Sequence, residues 1–353
     1  MKEFWSPRIR DSVPYIPGEQ PRGKTFIKLN TNENPYPPSE RVLETIRSSV
    51  NDTLRLYPDP ECLSFREAAA ARHNLAPEQV FAGNGSDEIL AFCFQAFFDP
   101  EKTILFPDIT YSFYPVYAAY FGLKWRTVEL DESFDLPIQE FFGSEGGVIL
   151  ANPNAPTGKA IDTGEIRSVL DANPNVVVLV DEAYVDFGGT SAVSFIPEYP
   201  NLVVVRTLSK SGALAGLRAG YAMGNPNLMD ALRCVRDSIN SYTVDRLAMA
   251  GAAASLQDTE WFEKTTKAII NTREETARSL KELGFTVYDS SSNFIFISYP
   301  KKTGKELLAK LRERGILVRW FDKPRISDCL RVSIGTDEEM EALCGALSSI
   351  LNE

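Results

Sequence analysis

Short apolar runs rich in β-branched residues recur along this chain at 80–82, 103–106, 148–151, 176–180 and 202–206, and each gives way to a polar loop bearing Gly, Pro or Ser. Runs without polar alternation suit strands buried on both faces, and such strands are built into parallel sheets whose crossovers are helices. Helical patterns at 40–49, 64–72 and 87–98 fall between or before these runs. The alternation predicts an α/β fold with a mostly parallel central sheet. Near Asn240 the rhythm changes. Long helical patterns at 244–256 and 261–283 are followed by strand-like stretches at 285–288, 293–298, 316–319 and 330–334, with helices over 304–314 and from Asp337 onward. The organisation predicted is an N-terminal arm (1–35) rich in Pro, Gly and Asn, a large domain (36–244), and a small α+β domain (245–353) that the arm joins.

Composition narrows the chemistry. The 353 residues carry a formal net charge of -11. An acidic surface argues against nucleic-acid or anionic-membrane partners, which need a basic face. There is one histidine, His73. A polyhistidine metal site is therefore excluded, and a histidine-based triad would have to use that residue. General acid–base work falls to Lys, Asp, Glu or Tyr. His73, flanked by Arg72 and Asn74 in a helical pattern, reads as an exposed structural residue. The five cysteines form no CxxC pair, which suits reduced, mostly buried thiols in a cytoplasmic protein. The first twenty residues lack an apolar core, so no signal peptide is expected. No apolar run is long enough to span a bilayer.

Ligands of open parallel sheets sit beyond the carboxyl ends of the strands. Four loops there are chemically loaded. In GNGSDE (83–88), glycines precede a helix start, whose free N–H groups suit an anion; Ser86 could instead simply cap the helix. No GxxxxGK[ST] or GxGxxG pattern is present, so neither a P-loop nor a dinucleotide fingerprint is supported. NPNAPTG (152–158) makes a rigid turn after a strand. In DEAY (181–184), Asp181 sits where a buried strand reaches the edge, and a carboxylate there must be paired, hydrogen-bonded or functional. Glu182 would point the other way, as a surface acid. In TLSKSGALAGLR (207–218), Lys210 lies among small and apolar residues. Burial should lower its pKa and favour a nucleophilic amine.

Together these loops resemble the pyridoxal 5′-phosphate (PLP) aminotransferases of fold type I, the aspartate aminotransferase superfamily, in order and over essentially the whole chain. The specific signal is DEAY, then SK, then an arginine eight residues on. More narrowly, PYIPGEQP, LNTNENPYPPS, RLYPDP, GNGSDEIL, TYSFY and LRVSIGT resemble the histidinol-phosphate aminotransferase family. The resemblance implies a Schiff base between Lys210 and PLP, with the freed Lys210 amine moving the proton during catalysis. It implies that Asp181 pairs with the pyridine nitrogen, that Tyr184 donates to the ring O3′, and that Tyr111 stacks on the ring. The cofactor phosphate would rest on Gly85, Ser86 and Asp87, assisted by Ser209 and Arg218, with Tyr57 reaching it from the other subunit of a homodimer with shared sites. The usual turn reads NPNNPTG, and its second Asn donates to O3′. Here that position is Ala155, so either Asn154 substitutes or Tyr184 works without that partner.

For the substrate, the resemblance implies that Arg331 holds an α-carboxylate and Arg319 a phosphate, with Tyr15 and Asn32 as further contacts. The reaction implied moves an amino group between L-histidinol phosphate and 2-oxoglutarate in histidine biosynthesis, with a small-molecule amino donor and a 2-oxo acid acceptor as partners. An aromatic amino-acid aminotransferase, a PLP-dependent threonine-phosphate decarboxylase and a non-enzymatic binding protein on the same fold are the alternatives.

Overall fold

The structure, a computed structural model, describes residues 3–10, 12–21 and 26–353. Its strands are β1 (Ile27–Leu29), β2 (Val80–Gly83), β3 (Thr103–Pro107), β4 (Lys124–Val128), β5 (Val148–Ala151), β6 (Val178–Asp181), β7 (Leu202–Thr207), β8 (Gly220–Gly224), β9 (Thr286–Tyr288), β10 (Phe294–Ser298), β11 (Ile316–Trp320) and β12 (Cys329–Ser333). They form two sheets. The seven-stranded sheet has the order β2-β8-β7-β6-β5-β3-β4. From β7 to β4 every pairing is parallel, while β8 runs antiparallel to both β2 and β7. The five-stranded sheet has the order β1-β11-β12-β10-β9. It is antiparallel except where β1 pairs parallel with β11.

The large sheet is covered on both faces, and the alternation of side chains along each strand divides its core in two. Val148, Leu150, Val178, Val180, Leu202 and Val204 meet the helices Leu63–His73, Thr163–Ala172 and Arg246–Gln257 on one face. Ile149, Leu179, Val203 and Val205 meet the helices Gly85–Phe97, Tyr114–Phe121 and Pro226–Ile239 on the other. The small sheet packs against Thr259–Glu282, Gly304–Glu313 and Asp337–Leu351. Thr303 with Glu306, and Thr336 with Glu339, form capping boxes that satisfy the first N–H groups of the last two helices.

The division predicted at 245 needs correcting. Ala248, Met249, Ala252 and Leu256 of helix Arg246–Gln257 are buried in the core on the large sheet. That helix belongs with the large sheet, and the change of unit falls after it. β4 and β8 were not anticipated. β4 is an edge strand with four exposed residues in the sequence KWRTV. β8, GYAMG, is wholly buried yet has no β-branched residue. Among the described residues no helix is long and apolar enough to cross a membrane.

Candidate active site

β5, β6 and β7 end side by side, with Ala151 paired to Asp181 and Asp181 to Val205. The loops that follow these strands therefore open into one cleft, which β11, β12 and the N-terminal arm close from the opposite side. Its wall brings together Tyr15, Asn32, Ser86, Asp87, Tyr111, Asp181, Tyr184, Ser209, Lys210, Arg218, Arg319 and Arg331. Gly85 lies directly behind Arg218. Tyr57 and Asn154 are elsewhere.

One end of the cleft is built for an anion. The helix opens at Gly85, and Asn84, its N-cap residue, gives no side-chain cap. Ser86 lies inside the first turn and is not the cap. Gly85 has φ +79°, and a Cβ on it would stand 2.7 Å from Arg218 Nη2, so the guanidinium needs glycine there. Arg218 itself is held at φ 53°. Its Nη2 donates to Asp87 Oδ2 at 3.1 Å, and its Nη1 lies 3.5 Å from Ser209 Oγ. Tyr111 OH donates to the other Asp87 oxygen at 2.8 Å. The Asp87 carboxylate is thus committed to orienting Arg218 and Tyr111, and any anion there meets the helix N–H groups and the guanidinium instead.

Asp181 sits at the floor, 5% exposed. Tyr114 OH donates to its Oδ2 at 2.8 Å, and the Ala183 N–H to its Oδ1 at 3.2 Å. Burial raises its pKa to about 6 despite these donors. A cationic nitrogen facing it would reverse that shift. Lys210 Nζ donates to Thr31 O at 3.1 Å. Burial, then the charge of Arg331, lowers its pKa to about 8. Asn34 Nδ2 donates to the Lys210 carbonyl at 3.0 Å and steadies the loop.

Opposite these groups stand two arginines. Arg319 and Arg331 are register partners across β11 and β12. Arg331 Nη2 donates to Asn30 O at 3.0 Å, but its Nε is buried with no partner. Arg319 donates to Ile16 O at 3.1 Å and Pro17 O at 3.4 Å. Among the described residues neither arginine forms an ion pair with a carboxylate of the chain. An orphaned buried donor beside two unneutralised guanidinium groups marks a place for ligand anions. Tyr15 reaches the cleft from the arm and stacks on Phe113 at 4.2 Å between ring centres.

Three sequence readings are corrected, those of Asn154, Glu182 and His73. Asn154 does not face the cleft; its Nδ2 donates to Ile109 O at 2.9 Å and Thr157 Oγ1 at 3.0 Å, and its Oδ1 accepts from Thr110 at 2.7 Å. These bonds tie it into the turn, and the wall is formed by Pro153 and Ala155 instead. Asn32 lines the cleft as expected, and its Nδ2 donates to Tyr184 OH at 3.1 Å. Glu182 is 1% exposed, not a surface acid. It accepts from Arg206 Nε at 3.1 Å, from Ser191 and from the Ala192 N–H. His73 is partly buried, with Nε2 2.9 Å from Tyr221 OH. Burial pushes its pKa down to about 3, helped by the Arg206 charge.

Tyr57 is 78% exposed and stacks on Tyr242 at 4.7 Å, outside its own chain's cleft. Tyr114 went unremarked in the sequence. The signal that could have found it is its place three residues after Tyr111, the spacing that sets both rings on one side of a helix start.

The model of the aminotransferase class I and II family matches residues 24–347. The chain belongs to this family, and it is an aminotransferase. It is 51% identical to the histidinol-phosphate aminotransferase of Clostridium beijerinckii over 352 residues, covering 100% of this chain and 98% of that one. It is 52% identical to that of Clostridium acetobutylicum over 340 residues, covering 96% and 97%. Among solved structures it resembles the histidinol-phosphate aminotransferase of Sinorhizobium meliloti in complex with pyridoxal-5′-phosphate, with a TM-score of 0.89 at 25% identity, covering 99% of this chain and 98% of that one.

Proposed function

We propose that this chain moves an amino group between L-histidinol phosphate and 2-oxoglutarate, with pyridoxal phosphate as its cofactor. The observation that carries the reading is the pair Arg319 and Arg331, which among the described residues form no ion pair with a carboxylate, lining the same cleft as the lysine whose amine is depressed to about 8. The donor set fits the cofactor. Asp181 is a buried carboxylate that a ring N–H⁺ would neutralise. Gly85, Ser86, Ser209 and Arg218 form an anion cradle that a Cβ at residue 85 would obstruct. Tyr111 offers a ring face, and Tyr184 a hydroxyl.

When bound, pyridoxal phosphate supplies a carbonyl carbon that condenses with amines and a ring that accepts the electron pair left on the substrate Cα. The chain supplies the rest. Asp181, whose burial-raised pKa a facing ring N–H⁺ would bring back down, would stay ionised and hold the ring nitrogen protonated. Lys210, its pKa lowered to about 8 by burial, would move the proton between the substrate Cα and the cofactor carbon that carries the amino group, in either direction of transfer. Arg331 holds the α-carboxylate of glutamate bidentately, and Arg319 meets either the substrate phosphate or the distal carboxylate of glutamate. Tyr15 covers the cleft from the arm.

The test is a donor panel. Purified protein is offered histidinol phosphate, phenylalanine, tyrosine, aspartate and threonine phosphate with 2-oxoglutarate, and glutamate and carbon dioxide are measured. Histidinol phosphate should be the preferred donor. In Arg319→Met, the KM for histidinol phosphate should rise by on the order of 10- to 100-fold, from the loss of one charge-assisted contact. The effect on glutamate should be smaller, and on phenylalanine least. Equal small effects on all three would move the reading to an aromatic amino-acid aminotransferase.

The reading extends to a cytoplasmic homodimer with shared sites. Exposed Leu54, Leu56, Tyr57 and Tyr242 support it, because they leave an apolar, aromatic surface beside a tyrosine that does not reach its own cleft. Mixing Lys210→Ala chains with Tyr57→Phe chains should restore part of the activity after subunit exchange, since one site of each heterodimer is then intact. Lack of recovery despite proven exchange and a severe Tyr57→Phe defect would put Tyr57 outside the neighbouring site.

A further inference from the structure

Tyr184 follows β6 by three residues and turns its ring into the cleft wall beside Phe294, edge to face at 5.0 Å. Ala155 packs in the same cluster and lines the same wall, but carries no polar atom beyond its backbone. The side chain bonded to the Tyr184 hydroxyl is Asn32, whose Nδ2 donates at 3.1 Å. Asn32 lies 152 positions away and comes from the segment after β1, so this contact is a product of the tertiary fold.

Asn32 is held with unusual completeness for a loop residue. It is 1% exposed and adopts φ 56°, the left-handed region that asparagine tolerates better than most side chains. Its N–H donates to Ser333 Oγ at 2.8 Å, and its carbonyl accepts from Asn293 Nδ2 at 3.0 Å. Ser333 Oγ, already an acceptor from that N–H, uses its one proton to donate to Asn32 Oδ1 at 2.8 Å. Oδ1 is thereby turned to Ser333, which leaves Nδ2 for Tyr184. The polarity follows from the donor inventory: the phenol oxygen accepts from Asn32, so its own proton is free to donate into the cleft.

We propose that Asn32 is a positioning residue that sets Tyr184 as a hydrogen-bond donor toward the bound cofactor. This inference rests on the cofactor reading above. A donor to a phenol oxygen stabilises negative charge there and makes the phenol proton a better donor in turn. The charged groups acting on the Tyr184 hydroxyl are Arg331 on β12, Asp181 at the end of β6 and Asp87 in the first turn of Gly85–Phe97, with Lys210 Nζ 5.8 Å from the ring centre. All of these belong to the catalytic cleft. Asn32 is the neutral, fixed contributor, and it can be changed without removing a charge.

The experiment reads the visible absorbance of the Lys210-bound cofactor as a function of pH. Asn32→Gly deletes the amide while keeping the left-handed backbone unstrained. The titration midpoint should move up by about 0.5–1 pH unit, the equivalent of one hydrogen bond, because the cofactor oxygen loses donor strength and the linkage holds its proton more tightly. Asn32→Asp, which presents only acceptors to the phenol, should move the midpoint further in the same direction. Ser333→Ala, which unpins the amide without removing it, should give a smaller shift of the same sign. Ala155→Asn in the Asn32→Gly background places an amide on the same wall and should return the midpoint at least halfway. Turnover should fall about three- to tenfold in Asn32→Gly, with KM for histidinol phosphate changed less than twofold.

A purely structural residue would lower the melting temperature and leave the midpoint where it was, and that result would overturn the inference. So would an upward shift in Asn32→Gly with none in Asn32→Asp. Should Asn32→Gly fail to fold, Asn32→Asp and Ser333→Ala decide by the same readout. A parent protein whose bound cofactor shows no pH-dependent visible band would refute the underlying cofactor reading, an outcome distinct from a parent that titrates and variants that do not differ from it.

Discussion

Lys210→Ala should lose transamination by on the order of 1,000-fold or more, the contribution expected of a positioned proton-transfer group with no substitute nearby. Lys210 is the one lysine on the cleft wall among the described residues. Lys28, on β1, is bound to Glu33 at 2.6 Å. The cofactor should still bind, since its proposed anchors at Arg218, Ser209, Asp181 and Tyr111 are untouched. It should not be fixed to the chain by borohydride. Reduction followed by peptide mapping checks this: parent protein should yield a modified peptide containing Lys210, and the variant none. A variant that kept a reducible linkage at another lysine would transfer the role elsewhere.

Asp181→Asn should slow turnover at least tenfold, because the neutral amide cannot hold the ring nitrogen protonated. Its effect on stability should have the opposite sign. The carboxyl pKa is raised in the folded chain to about 6, with burial the leading cause. A raised carboxyl contributes its full stability below the unfolded value and loses it as pH rises through 6. At pH 8 the cofactor-free protein therefore carries a buried charge that Tyr114 and the Ala183 N–H only partly offset, costing about 2–3 kcal/mol. Asp181→Asn removes that cost. Cofactor-free Asp181→Asn should melt higher than cofactor-free parent at pH 8, with the gap falling to about a third by pH 4.5. Thermal melts at the two pH values, beside turnover at pH 8, test both halves. Equal melting at pH 8 together with unchanged turnover would make Asp181 an ordinary satisfied carboxylate.

The sequence was most informative where physical constraint was local. β5, β6 and β7 are runs of β-branched and aliphatic residues because both faces of the sheet are covered, and the loops after them are where glycine, proline and polar residues collect. β8 escaped notice because tertiary burial alone makes a strand of Gly-Tyr-Ala-Met-Gly, which has little intrinsic β-propensity. Glu182 was misjudged by a rule suited to half-exposed sheets. Alternation does turn it away from Asp181, but the far face of this sheet is also interior, and there it meets Arg206 on β7. Asn154 was misassigned because adjacency in sequence says nothing of which side of a turn an amide occupies. Asn32 could not be assigned to Tyr184, since their contact depends on how β1 docks beside β11.

That docking has a consequence for how the enzyme is made. The cleft joins stretches that leave the ribosome far apart in time: Asn32 bonds Ser333 across 301 positions, and Arg319 bonds Ile16 across 303. The seven-stranded sheet has all its strands by Gly224 and its last core helix by Gln257, so it can collapse around its own core while the chain beyond is still being translated. The arm can already meet Phe113 through Tyr15 and the Lys210 loop through Asn34, but β1 has no strand to pair with until β11 has emerged. A nascent chain halted between residues 260 and 310 would already display Lys210 and Asp181, yet lack both arginines at 319 and 331 and the wall that pins Asn32. Such a chain would hold the lysine without the two arginines that face it across the cleft, so the last forty or so residues complete the wall that meets the substrate's anions.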